Sequence, residues 1–363
     1  MKLAILGTRG VPARYGGFET FAAELSSRLV QRGHEVSVYC RDVDDAYDGE
    51  TWNGVHRITL PAASHKYLET VSHAFLSALD ALRRDFDAVL VCNAANAFVL
   101  PLLRIARIPC AINVDGIERK RRKWNILGRA VYSMGEAMSV SFANVVIADA
   151  DVIEDYYRRE YGASPSTIPY GADFPIEEDS NVLERLGITR DGYVLYVSRF
   201  EPENNPLEVV EAYEKLGSDA PPLVMLGKGL YAHDLVAELH RHASERILFP
   251  GALYGADYRT LQRNARLYIQ ATEVGGTHPA LIEAMASGGC VLAHDTPENR
   301  EVGGGAVGYF RLRPEESLSG ILRVWLANPL IRNDFRARAR QRAQQRYSWD
   351  RVTDAYESLF RSL

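Results

Sequence analysis

"KLAILGTRGVPARYGGFETFAAELSSRLVQRGHEVSVYC", residues 2–40, is the stretch on which the fold turns. "KLAILG" is a short, nearly continuous apolar run ending in Gly7, the pattern of a strand buried on both faces in a parallel sheet. The loop "TRGVPARYGG" follows. "FETFAAELSSRLVQRG" then carries helical periodicity and stops at Gly33, a residue suited to a helix end. "HEVSVYC" (34–40) returns to the strand pattern. Strand, loop, helix and strand in this order predict a βαβ unit and a parallel sheet.

The same rhythm runs outward from it. "HRITLP" reads as a third strand, 67–84 as a helix, "DAVLVCN" (87–93) as a strand, "AFVLPLLRIAR" as a helix, "PCAINVDG" (109–116) as strand then loop, and "NVVIADA" (144–150) as another strand. "PSTIPYGAD" (165–173) interrupts with two prolines and a glycine and is taken as a link. "GYVLYVSRF" (192–200) restarts the alternation, which continues through "GCVLAHD" before a helical end. The expectation is two Rossmann-like domains, residues 1–170 and 171–345, facing each other across a cleft, with a C-terminal helix at 346–363 packing back on the first. Ligands in such sheets bind at the carboxyl ends of the strands.

Composition bounds the function. The chain has 363 residues, 47% of them hydrophobic and 25% charged, as in ordinary globular proteins of about two domains. A net charge of −5 argues against a nucleic-acid binder. Cys40, Cys92, Cys110 and Cys290 are widely spaced and read as buried free thiols in a reducing cytoplasm. No signal peptide is legible, and no apolar run reaches the roughly 18 residues of a membrane span.

Two local patterns point to an anion. "GGTHPALIEAMASGG" (275–289) sets a glycine turn at a helix start, where backbone N–H groups point outward. Arg199 ends a strand, where its guanidinium can hold a phosphate group through two parallel hydrogen bonds or pair with Glu201 or Glu203. "GTRGVP" is not a G-x-G-x-x-G fingerprint, and no suitable acidic residue ends the second strand, which disfavours an NAD-dependent dehydrogenase.

"GTRGVPARYGGFETFAAELSSRLVQRGHEVSVYC", "STIPYGAD", "YVSRFEPENNP" and "GGTHPALIEAMASGG", in that order, resemble retaining glycosyltransferases of family four, with the α/β GT-B fold. The first motif and "EPENN" are similar to a rhamnosyltransferase-like subgroup of bacterial polysaccharide biosynthesis. The resemblance implies an N-terminal acceptor domain and a C-terminal domain for a nucleoside diphosphate sugar. It implies donor contacts from Gly16, Gly17, Arg199, Asn204, Lys228, Gly275, Gly276, Thr277, His278 and Glu283, with Glu283 on the ribose hydroxyls. Thr277 also reads as a helix N-cap. Tyr15, Glu19, Asp115 and Glu118 are assigned to the acceptor. Asp115, Arg199 and Lys228 form the catalytic set, the cations offsetting charge on the leaving diphosphate. Two positions depart from the family pattern: Gly275 replaces the first glutamate, and Asn204 replaces a lysine.

The sequence therefore predicts a metal-independent sugar transfer, rhamnose the best-fitting sugar, to a polysaccharide or lipid-linked glycan, with no cofactor. Alternatives are a nucleotide-sugar epimerase of the same fold and a non-catalytic sugar-nucleotide-binding protein. "ERKRRKWN" (118–125) sets cations beside Trp124, either a solvated face or, through 119–124, a contact with an anionic membrane at the inner face. "RARARQRAQQR" (336–346) is a second basic run.

Overall fold

The computed structural model describes residues 1–13, 16–42, 47–63, 68–121, 124–173, 180–229, 232–312 and 316–363. The chain divides into two compact units, Met1–Gly171 with Trp349–Leu363, and Ala172–Ser348.

The first unit runs β1 (Lys2–Leu6), α1 (Gly17–Gln31), β2 (Glu35–Arg41), β3 (Thr51–Trp52), β4 (Val55–Leu60), α2 (Glu69–Ala81), β5 (Ala88–Cys92), α3 (Leu100–Ile105), β6 (Cys110–Asn113), α4 (Ile126–Phe142), β7 (Val145–Ala148), α5 (Asp151–Tyr161) and β8 (Ser166–Thr167). Its sheet has the order β3-β4-β2-β1-β5-β6-β7-β8. Only β3, in a short hairpin with β4, runs antiparallel among these pairs. β1 is central, Leu3 lying opposite Val36 of β2 and Ala88 of β5. The strand order reverses there, which places the glycine-rich loop after β1 where α/β sheets bind ligands.

Several elements differ from the sequence reading. "AFVLPLLRIAR" opens as a 3-10 turn over Ala94–Val99 and is α-helical only over Leu100–Ile105, with Pro101 in its first turn. The head of the "PSTIPYGAD" link adds β8 to the sheet, paired with β7. α4 and α5 lie in stretches to which no element was assigned. In α4 the helical period is blurred by Gly128 and Gly135. A Cβ on Gly135 would come within 2.4 Å of the Ala94 carbonyl oxygen, so this helix packs backbone to backbone on the 3-10 turn. α5 is mostly polar and tyrosine-rich, and buries Ile153, Tyr156 and Tyr157.

The second unit holds α6 (Val182–Arg185), β9 (Val194–Val197), α7 (Pro206–Glu214), β10 (Leu223–Leu226), α8 (His233–Arg241), β11 (Ile247–Gly251), α9 (Gly255–Asn264), β12 (Leu267–Gln270), α10 (Pro279–Ala286), β13 (Val291–His294), α11 (Pro297–Gly303), β14 (Gly308–Phe310), α12 (Glu316–Ala327) and α13 (Pro329–Arg346). The sheet order is β11-β10-β9-β12-β13-β14, all pairs parallel. This is the Rossmann order 3-2-1-4-5-6, with its switch point between β9 and β12. The basic run at 336–346 lies on α13 and is partly structural. Arg336 donates to Asp191 and to the carbonyls of Ala265 and Arg266, and Arg342 to those of Glu301 and Val302.

The last helix, α14 (Trp349–Ser362), belongs to the first unit. Phe21 of α1 packs against Tyr170, Trp349 and Tyr356, with ring centroids 5.5, 6.4 and 5.3 Å away. Glu357 of α14 accepts from Arg32 at 2.9 Å and meets His34 at 3.1 Å. All four cysteines are free and buried. Burial pushes their thiols up, Cys290 to about 12.

Candidate functional site

In the second unit the predicted phosphate residues gather at the carboxyl ends of β9, β10 and β12, three adjacent strands. Arg199 follows β9 and is half-buried. Among the described residues its guanidinium pairs with neither Glu201 nor Glu203. Its carbonyl is held three times, by the Ser198 hydroxyl at 2.6 Å, the Glu201 N–H at 2.8 Å and the Asn204 amide nitrogen at 2.7 Å. Asn204, expected as a donor contact, is itself buried, and its side-chain nitrogen is engaged in fixing the Arg199 backbone.

Lys228 is exposed in the loop after β10, and both flanking glycines are required by close approach. A Cβ on Gly227 would lie 1.9 Å from the Ser198 carbonyl oxygen, and one on Gly229 2.7 Å from that of Phe200. The Phe200 N–H donates to the Lys228 carbonyl at 3.1 Å. Glycine therefore lets the Lys228 loop lie directly on the Arg199 segment, bringing two cations to one edge of the sheet.

The "EPENN" turn, with its 3-10 helix Pro202–Asn204, also reaches the loop after β12. The Glu273 N–H donates to the Glu203 carbonyl at 2.9 Å, and the Asn205 amide to that of Ala271 at 2.8 Å. In that loop Gly275, Gly276 and Thr277 are buried. Among the described residues no group accepts from the N–H of Gly275 or Gly276, which leaves these donors for an anion at the start of α10. The N-cap of α10 is His278 rather than Thr277, because the backbone stays extended through His278 and its carbonyl accepts from Leu281 and Ile282. A Cβ on Gly275 would sit 2.4 Å from the His278 ring, so His278 fills the space into which a side chain at 275 would grow.

Glu283 is half-buried among Leu281, Ile282, Ala284 and Met285. It accepts a hydrogen bond from the hydroxyl of Tyr258 on α9. Gln262, one helical turn on, donates to that hydroxyl at 2.8 Å. Burial and the adjacent Glu283 carboxylate raise Tyr258 well above the usual tyrosine range, so it remains an O–H donor. Tyr258 and Gln262 escaped the sequence reading; their four-residue spacing on a helix is the only signal they carry. Glu273 is half-buried near His294, whose imidazole is held below its ordinary range by burial.

In the first unit, Gly16 is the N-cap of α1 and Gly17 its first residue. Glu19, assigned to the acceptor, is buried and accepts from the Arg9 N–H at 3.0 Å, fastening the loop after β1 to α1. Asp115 follows β6 with a left-handed backbone, φ 57°. Its N–H donates to the Asn113 side chain at 3.0 Å, and its carboxylate accepts from Tyr170 at 3.3 Å. Asn113 in turn donates to Tyr356 of α14 at 2.8 Å. Tyr170 lies in the "STIPYGAD" motif; Asn113 and Tyr356 carry no comparable signal. Tyr15 lies outside the described residues.

Glu118 and the cationic run that follows it are not a free solvated face. Glu118 is buried in an ion pair with buried Arg121. Arg119 lies 3.4 Å from Glu136 and donates to Tyr156 at 2.8 Å. Arg122 and Lys123 lie outside the described residues. Buried carboxylates thus hold two of the cations counted toward a membrane contact.

Residues 181–345 match the family model of glycosyl transferases group 1. The second unit is a group 1 glycosyl transferase domain. Residues 1–173 match a domain of unknown function, DUF1972. No curated protein sequence matches the chain. Among solved structures, it is similar to a sucrose-phosphate synthase from Thermosynechococcus elongatus, at 19% identity, with TM-score 0.84 and 99% and 98% of the two chains covered. It is similar to Anabaena HepE, solved in complex with UDP, at 17% identity, TM-score 0.78 and full coverage of both chains. An α,α-trehalose-phosphate synthase (UDP-forming) from Burkholderia vietnamiensis aligns at 14% identity, TM-score 0.72, again over both chains entirely. The glycosyl transferase domain thus sits in a chain with the GT-B fold. None of its described helices is long and apolar enough to cross a membrane.

Proposed function

We propose that this protein transfers a sugar, with retention and without a metal cofactor, from a nucleoside diphosphate to a polysaccharide or lipid-linked glycan. The donor is held by the second unit and the acceptor by the first. The observation that carries this reading is the set built on one sheet edge of the group 1 domain: Arg199 and Lys228 at adjacent strand ends whose loops are joined through the backbone, the open N–H groups of Gly275 and Gly276, and Glu283 held by Tyr258. The two cations and the N–H pair offset charge on the departing diphosphate, the role a metal has in other transferases, and Glu283 accepts the ribose hydroxyls. In the first unit Asp115, fixed by Asn113 and Tyr170, takes the acceptor hydroxyl.

The sugar is proposed to be a 6-deoxyhexose, rhamnose in the first instance. Support is indirect: the His278 ring occupies the space that a glutamate at 275 would need, so the usual carboxylate contact to a glucose-like sugar is missing. Glu273 is the substitute carboxylate if the donor is glucose-like. Thymidine and uridine diphosphates are the nucleotides to test first, the latter because HepE was solved with UDP.

The test is release of nucleoside diphosphate from a panel of nucleotide sugars without acceptor, in chelator, with Arg199→Ala alongside. Slow hydrolysis of one donor, lost in the variant, is expected. Ligand-dependent stabilisation with no release from any donor would reduce the protein to a binder, and release that needs a divalent cation would remove the metal-independent step.

A further inference from the structure

Large hydrophobic side chains are exposed unevenly. Of the fourteen exposed among the described residues, ten lie on or at the ends of α2, α3 and α4. These helices cover one face of the first unit's sheet, α3 touching both α2 and α4. α1 and α14 lie against each other, and α1 crosses in the opposite strand direction, from β1 to β2.

The exposure follows helical spacing. On α4, Leu127, Val131 and Met134 fall on one stripe at 73, 47 and 56% exposure, with Ile126 at 88% leading into it. Ala130 and Ala137 continue that stripe, which contains no charged residue. On α2, Val71 and Phe75 repeat the pattern at 45 and 44%. An amphipathic helix in a globular protein turns such a stripe inward; here the buried side of α4 is separately made by Gly135, Glu136 and Ser139. Contiguous exposed apolar surface of this kind marks an interaction face.

Among the described residues, the exposed charge on and flanking α3 and α4 is of one sign. Lys120, Arg129, Arg104 and Arg107 are exposed. The only carboxylate within α3 or α4 is Glu136, which is buried and engaged by Tyr156, Tyr161 and Arg119. On α2, Glu69 is paired with Arg41 and Asp80 with Arg84. A second copy laid on this face would set these cations against their own kind. A surface with an apolar interior and an anionic boundary matches both features: apolar side chains enter the acyl region while arginine and lysine stay at the headgroups.

We propose that the α2–α4 face is a membrane-docking surface for anionic lipid, with the apolar residues of α4 and α2 as its anchors and Lys120, Arg129, Arg104 and Arg107 as its electrostatic component. This extends the proposed function, because the loop that carries Asp115 and Glu118 leads directly into the exposed start of α4. A glycan acceptor on a lipid anchor would be delivered to the first unit from the surface on which α4 rests. Of the 119–124 run it keeps the exposed Lys120 and leaves out Arg119 and Arg121, which are held by carboxylates.

The experiment is flotation of the full chain with vesicles of phosphatidylcholine alone or with one-third phosphatidylglycerol, at low and physiological salt. Wild type is expected on the anionic vesicles, weakened but not released at physiological salt because apolar insertion survives screening. Leu127→Ser/Val131→Ser/Met134→Ser should lower the bound fraction at least tenfold at both salts; Lys120→Ser/Arg129→Ser should weaken binding mainly at low salt, where the charges are least screened. Far-ultraviolet dichroism and nucleotide binding of each variant establish that it is folded and that its second unit is intact. Absence of wild-type binding to anionic vesicles, equal binding of the apolar variant, or a wild-type dimer that this variant dissolves would each overturn the proposal. None of these outcomes bears on donor hydrolysis, which is read in solution without vesicles.

Discussion

Tyr258→Phe separates a role in positioning Glu283 from a role in packing. The phenol ring is half-buried and phenylalanine keeps its shape, so the substitution removes little more than the hydroxyl that donates to Glu283 and accepts from Gln262. A hydrogen bond to a charged group is worth about 1.5–3 kcal/mol. Gln262 keeps a second acceptor, the Ala280 carbonyl at 3.3 Å, so leaving its amide unsatisfied adds little. The fold should lose about 1–2 kcal/mol, and Glu283 becomes free to turn away from the position in which it meets the nucleotide. If about 1.4 kcal/mol of that positioning reaches the ligand, nucleoside diphosphate affinity falls roughly tenfold. Titration calorimetry with the nucleoside diphosphate checks this, and inorganic pyrophosphate is the control, because it touches the cations and the glycine turn but has no ribose. The expected result is weaker nucleotide binding with pyrophosphate binding unchanged. Nucleotide affinity within twofold of wild type would refute the relay from Gln262 through Tyr258 to Glu283, and a parallel loss of pyrophosphate binding would place Glu283 elsewhere.

Arg199→Ala should lower transfer or donor hydrolysis by more than about 2 kcal/mol of transition-state stabilisation, measured as kcat/KM, with little change in melting temperature because its guanidinium forms no ion pair among the described residues. Gly227→Ala and Lys228→Ala should split in the opposite sense: the alanine methyl at 227 meets the Ser198 carbonyl and costs about 3 kcal/mol or more in denaturant unfolding, whereas loss of the exposed Lys228 ammonium lowers turnover while the unfolding midpoint holds. Arg121→Ser should destabilise by up to about 3–5 kcal/mol, since it removes a buried cation paired with buried Glu118; a variant as stable as wild type in urea would show the pair to be solvated. Glu357, brought down to about 2 by Arg361, Arg32 and His34, stabilises above the ordinary glutamate range and loses that contribution as pH falls toward 2; Glu357→Gln should therefore cost about 1 kcal/mol at pH 7 and nothing near pH 2, read from urea midpoints.

The sheets were legible because their strands are buried on both faces, and a continuous apolar run such as "KLAIL" or "YVLYV" has few other homes. The strand ends, and with them Arg199, Lys228 and Asp115, followed from that. What stayed hidden has specific causes. α4 was missed because its outward stripe is apolar and its inward side contains Gly135 and Glu136, which inverts the pattern by which a surface helix is recognised. That inversion is itself the observation on which the docking surface rests. The cationic run at 118–125 read as a solvated face or a membrane contact because the carboxylates that engage Arg119, Glu136 and Glu160, are distant in sequence and brought in by α4 and α5.

The departures from the family pattern take on a physical form in the same way. Asn204 reads as a lost lysine in the sequence; in the fold its amide fixes the carbonyl of the neighbouring arginine, so a charge at 204 has been exchanged for rigidity at 199. A lysine there could not accept that geometry while also reaching a phosphate, because its ammonium would have to serve the Arg199 carbonyl and the ligand at once. The positive charge then has to come from another strand, and the two glycines around Lys228 are what let it come from β10. Gly275 and His278 form a second such pair, the absent side chain of one making room for the ring of the other. Under the proposed function both departures fall within one site with compensating contacts around each, the arrangement expected of an enzyme with an altered donor rather than of a binding protein that has lost its chemistry.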